Sequence, residues 1–71
     1  MYTIVEMQTN AGVTAVLTQT AADRNQAESI YHQILASAAI SSVEIHAASL
    51  LSEYGFLLLR EAYEHKKEAE E

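Results

Sequence analysis

The sequence predicts an α+β domain of order strand-strand-helix-strand-strand (ββαββ). Two antiparallel hairpins form a sheet with one helix on one face, and the other face is expected to oligomerise. Three observations carry this expectation. Asn10-Ala11-Gly12 separates two short β-prone runs. One apolar stripe at helical spacing, and no second, follows them. A second pair of apolar runs then flanks Ser52-Glu53-Tyr54-Gly55, and its apolar residues fall on both parities. The domain spans residues 1–65, and residues 66–71 form a charged C-terminal tail.

Tyr2 to Thr9 alternates, with Tyr2, Ile4, Glu6 and Gln8 on one parity and Thr3, Val5, Met7 and Thr9 on the other. That is the period of a strand, and the pattern leaves open which parity faces inward. Asn and Gly tolerate positive φ, so Asn10-Ala11-Gly12 reads as a tight turn. Val13 to Gln19, rich in β-branched residues, is the return strand. Val13, Ala15 and Leu17 share one of its faces, and Thr14, Val16 and Thr18 the other.

Thr20-Ala21-Ala22-Asp23 is expected to open the helix, with Thr20 capping free N–H groups and Asp23 completing a shortened capping box. Ala27, Ile30, Tyr31, Ile34 and Ala38 then recur on one side, with Leu35 beside them, for a helix of about 18 residues. Its apolar face is rich in alanine, which brings it close to whatever it packs on. Ser41-Ser42 ends it.

Val43 to His65, VEIHAASLLSEYGFLLLREAYEH, organises the rest. A strand with one wet face alternates apolar and polar, and this hairpin barely does so at its centre. Val43, Ile45, Ala47 and Leu51 fall on one parity, Ala48 and Leu50 on the other, followed by Phe56-Leu57-Leu58-Leu59. Both faces are therefore expected to be covered, one by the helix and one by a second copy of the chain, with Leu50, Leu57 and Leu59 at the oligomer interface. Residues 60–65 either start a helix that runs on through HKKEAEE or, the favoured reading, continue the last strand to about His65, which places Leu57, Leu59, Glu61, Tyr63 and His65 on one face. Pairing about residues 53–54 would set His46 opposite Glu61 and His65 opposite Ser42.

The composition bounds the function. A chain of 71 residues is one domain. So short a chain buries little surface, domains of this size often need a staple, and oligomerisation is the staple left where cysteine is absent. The start, MYTIVEM, lacks a basic segment and a long apolar core, so no signal peptide is expected. No apolar run approaches the roughly 20 residues of a membrane span. A cytoplasmic protein is expected. The net charge is −6, and no basic patch for nucleic acid exists. Five of the ten acids, Glu61, Glu64, Glu68, Glu70 and Glu71, crowd the end of the chain. The acidity serves solubility, or meets a basic protein partner.

The candidate ligand-binding residues are Tyr31, His32, His46, Tyr63 and His65, a rim of aromatic rings that stack on flat ligands and histidine nitrogens that bind phosphate oxygens or base edges. His32 follows Glu28 by four residues, so the two can pair on the helix surface. Glu44, His46 and His65 are the best set for a zinc ion, but they lack any metalloprotease spacing, and no metal or other cofactor is called for. The chain has no nucleophile elbow, phosphate loop, paired carboxylates or cysteine nucleophile, so no catalytic residue is assigned and a non-enzymatic protein is expected.

Tyr31 to His65 also resembles a group of short proteins from bacteriophage and prophage genomes of gut Firmicutes. The resemblance lies in Tyr31-His32, in Leu35-Ala36-Ser37-Ala38-Ala39, in His46 and the small and aliphatic residues after it, and in Tyr63-Glu64-His65. It covers about half of the chain. It implies a phage setting and an action in the host cytoplasm, as an anti-defence factor that blocks a host immune protein or sequesters a nucleotide signal. A structural or assembly accessory of a phage is the alternative, and a small histidine-dependent hydrolase or metal enzyme comes third.

Overall fold

The computed structural model describes residues 1–65; the charged tail at 66–71 lies outside them. Four strands and one helix follow in the expected order: β1 (Tyr2–Asn10), β2 (Val13–Ala21), α1 (Arg24–Ala39), β3 (Ile45–Leu51) and β4 (Leu57–Glu64). They build one antiparallel sheet of order β2-β1-β3-β4, in which β1 and β3, from different hairpins, are the central pair.

The first hairpin closes over Ala11 and Gly12, at φ 54° and 80°. Two consecutive positive φ values make the type I′ geometry whose twist suits a two-residue hairpin. Asn10 therefore pairs with Val13 through two hydrogen bonds, and the register runs without a break to Tyr2 opposite Ala21. Ala11 sits in the left-handed region without glycine's freedom, and its N–H donates to Glu44 Oε1 at 3.1 Å.

The helix begins three residues later than expected. Thr20 is still in β2, and Asp23 is the cap, accepting from the Gln26 N–H at 2.8 Å. The β1 register holds β2 in place through Ala21, so the chain cannot turn at Thr20. The stripe is as expected: Ala27, Tyr31, Ile34 and Ala38 are buried, and Ile30 and Leu35 pack against the core. The inward parity of β1 is that of Ile4, which is fully buried opposite Leu50 of β3.

The second hairpin departs from the expected register. The connection is longer than a two-residue turn, since Leu51 pairs with Leu57 across Ser52–Phe56, and a bulge between Leu50 and Leu51 shifts the pairing again. His46 therefore lies opposite Tyr63 rather than Glu61, and the His65 N–H reaches the Glu44 carbonyl at 2.7 Å rather than Ser42. The bulge also separates the leucines. Leu59 faces the helix with Leu50, whereas Leu57 lies on the outer face with Leu51.

Candidate functional site

The five residues of the expected rim come from three elements that meet beneath and beside the C-terminal half of α1. The register sets His46 and Tyr63 side by side on the helix-facing side of the sheet. His65 follows, and its Nε2 donates to the Ala38 carbonyl at 2.8 Å, in the last turn of the helix. This side chain adds a second donor to a helix-end carbonyl that also accepts from the Ser41 N–H at 3.2 Å. Tyr63 and His65 lie nearly parallel, with ring centroids 6.4 Å apart. Tyr31 meets the His32 ring edge-on at 5.2 Å.

The cluster is divided by burial. His46 and Tyr31 are buried, His65 is half-buried, and His32 and Tyr63 are exposed. Burial of Tyr31 pushes the pKa of its hydroxyl above the ordinary 10.0, and the nearby Glu61 carboxylate and Tyr63 hydroxyl raise it further. A negative charge at Glu61 also opposes a phosphate-bearing ligand. His32 stands apart from its expected partner, because Glu28 pairs with Arg24 at 2.7 Å. The backbone geometry explains that choice: both positions lie four residues from Glu28, but the long guanidinium arm reaches the carboxylate across the turn.

The feature that periodicity did not reveal is a polar trio of one buried histidine and two half-buried partners. His46 Nε2 lies 2.6 Å from Glu6 Oε2, and Gln8 Nε2 donates to the same oxygen at 2.9 Å. A carboxylate only accepts, so the ring proton stands on Nε2. His46 Nδ1 is buried and finds no partner among the described residues. Glu6 and Gln8 share the inward parity of β1 with Ile4, and the cross-strand register brings them beside His46. Two polar residues on an inward parity, facing a histidine of another strand, were the signal available in the sequence.

The residues considered for zinc are each engaged elsewhere. Glu44 is engaged with the Ala11 N–H, His46 with Glu6 and His65 with Ala38. Among the described residues no three His, Cys, Asp or Glu side chains are placed to hold a metal ion.

The outer face of the sheet is the larger feature. Its register positions are Thr3, Val5, Met7 and Thr9 of β1, Thr14, Val16, Thr18 and Thr20 of β2, Ile45, Ala47, Ser49 and Leu51 of β3, and Leu57, Arg60, Ala62 and Glu64 of β4. Val16 and Leu57 are about half exposed, at 56% and 50%. Arg60 and Glu64 are the charged residues in this set. A shallow open depression of about 330 Å³ lies between β3 and β4, lined by Ala47, Ser49, Arg60 and Ala62 and their neighbours Ala48 and Glu61. None of the five rim residues lines it. Of the leucines expected at an oligomer interface, Leu57 alone is on this face. Leu50 is fully buried beneath the helix, and Leu59 packs against the same core. The bulge is the reason, since it reverses which side β4 presents across one residue.

Comparisons with protein-family models, with curated proteins and with solved structures return no match. Among the described residues, no helix is long and apolar enough to cross a membrane.

Proposed function

We propose that this chain is a non-enzymatic binding protein whose working unit is a homo-oligomer closed through the outer face of its sheet. The phage or prophage setting implied by the resemblance is the one we propose for it, and a host protein is the partner. The observation that carries the reading is the outer face itself: Val5, Met7, Val16, Ile45, Ala47, Leu51, Leu57 and Ala62 lie together, with one cation and one anion among them. Four strands at about 4.8 Å spacing and about eight residues long present roughly 500 Å² per copy, so a pair of copies buries about 1,000 Å², the lower bound for a specific interface. A protein partner fits better than a nucleotide signal, because Tyr31 and His46 are buried and Glu61 opposes phosphate.

Sedimentation velocity of the full chain tests the reading. A dimer or larger species at micromolar concentration, converted to smaller species by Met7→Lys, is the expected result. Met7 is 38% exposed, so lysine there does not disturb the core. A wild-type chain that stays monomeric overturns it.

A further inference from the structure

The two edges of the sheet are built differently. β4 carries Arg60, Glu61 and Glu64 within its eight residues. Charge on an edge strand is the usual guard against pairing with another chain. β2, VTAVLTQTA, is nine residues long and carries no charge and no proline. Val13 through Thr20 are exposed along the whole strand, whichever face their side chains take. This is the composition of an interior strand, like β3, placed at an edge.

The register tells which backbone groups are free. Asn10 and Val13 close the hairpin as a hydrogen-bonded pair, so the pairs alternate from there. Thr9 and Thr14 form a non-hydrogen-bonded pair, in which side chains approach closely, and their hydroxyls are 2.8 Å apart. Thr14, Val16, Thr18 and Thr20 therefore point their N–H and C=O groups away from β1. In the strand order β2 is terminal, so no described strand meets them.

We infer that the β2 edge pairs antiparallel with the β2 edge of a second copy, about a two-fold axis at Leu17, to make one continuous eight-stranded sheet. The strand selects a copy of itself as occupant. Centred on Leu17, the pairing sets Thr14 opposite Thr20 and Val16 opposite Thr18, so every outward-facing residue is used and β-branched residues meet at each hydrogen-bonded position. Four residues per copy, each with one donor and one acceptor, give about eight hydrogen bonds. Shifting the centre by one residue leaves an outward residue of each copy unpaired. At the axis the two Leu17 side chains, each 53% exposed in the single chain, meet as a non-hydrogen-bonded pair. No charge opposes a like charge along the strand. The inference does not depend on the outer-face contact. A two-fold axis normal to the sheet leaves both outer faces on the same side, where they form one larger surface.

The chain has no cysteine, which allows a direct test on the full protein. Leu17→Cys places two thiols across the axis in a non-hydrogen-bonded pair, about 4.5 Å apart at Cα, within disulfide range. Val13→Cys places them eight residues of strand apart, roughly 26 Å, although Val13 is more exposed, at 71%. Under mild oxidation Leu17→Cys is expected to yield disulfide dimer at least about tenfold faster than Val13→Cys, since thiols so far apart cannot be bridged. Equal rates, or a faster Val13→Cys reaction, overturn the inference. Thr18→Pro provides the second reading. Its N–H points outward, so proline there leaves the β1 ladder whole and removes two bonds of the symmetric interface. With an unchanged circular dichroism spectrum, Thr18→Pro should abolish the edge pair while Met7→Lys preserves it. The reverse pattern refutes the edge and leaves the outer-face contact standing; loss of association in Met7→Lys alone does the same.

Discussion

Removing His46 should be the most costly change to this fold short of emptying the core. The imidazole is 6% exposed and its partner Glu6 16% exposed, at 2.6 Å. Breaking a fully buried pair costs about 3–5 kcal/mol, chiefly because the surviving charge is left without its partner. Here the Glu6 carboxylate keeps the Gln8 amide at 2.9 Å and a little solvent, so His46→Ala belongs at the low end, about 3 kcal/mol. A domain of this length has a total stability of roughly 4–10 kcal/mol, so the variant sits near its threshold. At about 4–8 °C per kcal/mol, the melting temperature should fall by about 12–24 °C. Replacing both members with apolar residues of similar volume, Glu6→Met with His46→Leu, removes the stranded charge and should recover most of the loss. The assay is thermal and urea unfolding by circular dichroism on wild type, both single variants and the double. All are held at one protein concentration, because an oligomer's midpoint moves with concentration. A His46→Ala cost below about 1 kcal/mol, or a double variant as unstable as the sum of its singles, would show that the trio is not coupled as drawn.

Two further perturbations have clear signs. Ala11 holds φ 54°, a conformation that costs a residue with a Cβ about 1 kcal/mol, so Ala11→Asn should raise stability by roughly 0.5–1 kcal/mol, read as a higher melting temperature. Burial and Glu61 raise the Tyr31 pKa above 10.0, so its contribution is present below that pH and is lost as pH rises through the folded value. Tyr31→Phe should leave stability nearly unchanged near pH 8 and reduce the loss of stability between about pH 9 and pH 11, measured as urea midpoints across that range.

The element order was legible because its two periods are distinct: period two on either side of Asn10-Ala11-Gly12, then a stripe from Ala27 to Ala38 at helical spacing. The inward parity of β1 was not, for a physical reason. Its inner face holds Glu6 and Gln8 beside Ile4, and those polar residues belong inside because His46, forty residues away, satisfies Glu6. Hydropathy along one strand cannot show a partner on another. The register of β3 and β4 was hidden by a bulge within an unbroken leucine run, where Leu57, Leu58 and Leu59 look alike and only the pairing distinguishes them. Of the site, the sequence held the residues and the approximate meeting of His46, Tyr63 and His65. It placed Tyr31 on the buried stripe but did not show that His46 is buried as well, while His32 and Tyr63 stay exposed.

The exposure of β2 follows from the proportions of the fold. One helix is about 10 Å across, and four strands span about 19 Å, so a single helix covers about two of them. The small residues on its inner face decide which two. Ala27 and Ala38 are fully buried, so the helix lies close over the central strands, against Ile4 of β1 and Ala48 and Leu50 of β3. Its N-terminus starts from the end of β2, where Ala21 is the one buried residue of that strand. From there it crosses toward β4, where His65 holds the Ala38 carbonyl. Glu61 and Tyr63 of β4 thus lie near Tyr31, and His65 just beyond β4 meets the helix end, whereas in β2 only Ala21 is buried. The edge strand left uncovered carries no charge, whereas the strand at the opposite edge has three charged residues. A larger inner-face residue at Ala27 or Ala38 would lift the helix, lose the close packing on Ile4 and Leu50, and still leave β2 uncovered. The open edge is therefore inherent in a one-helix ββαββ domain, and its sequence determines whether it stays bare or takes a partner.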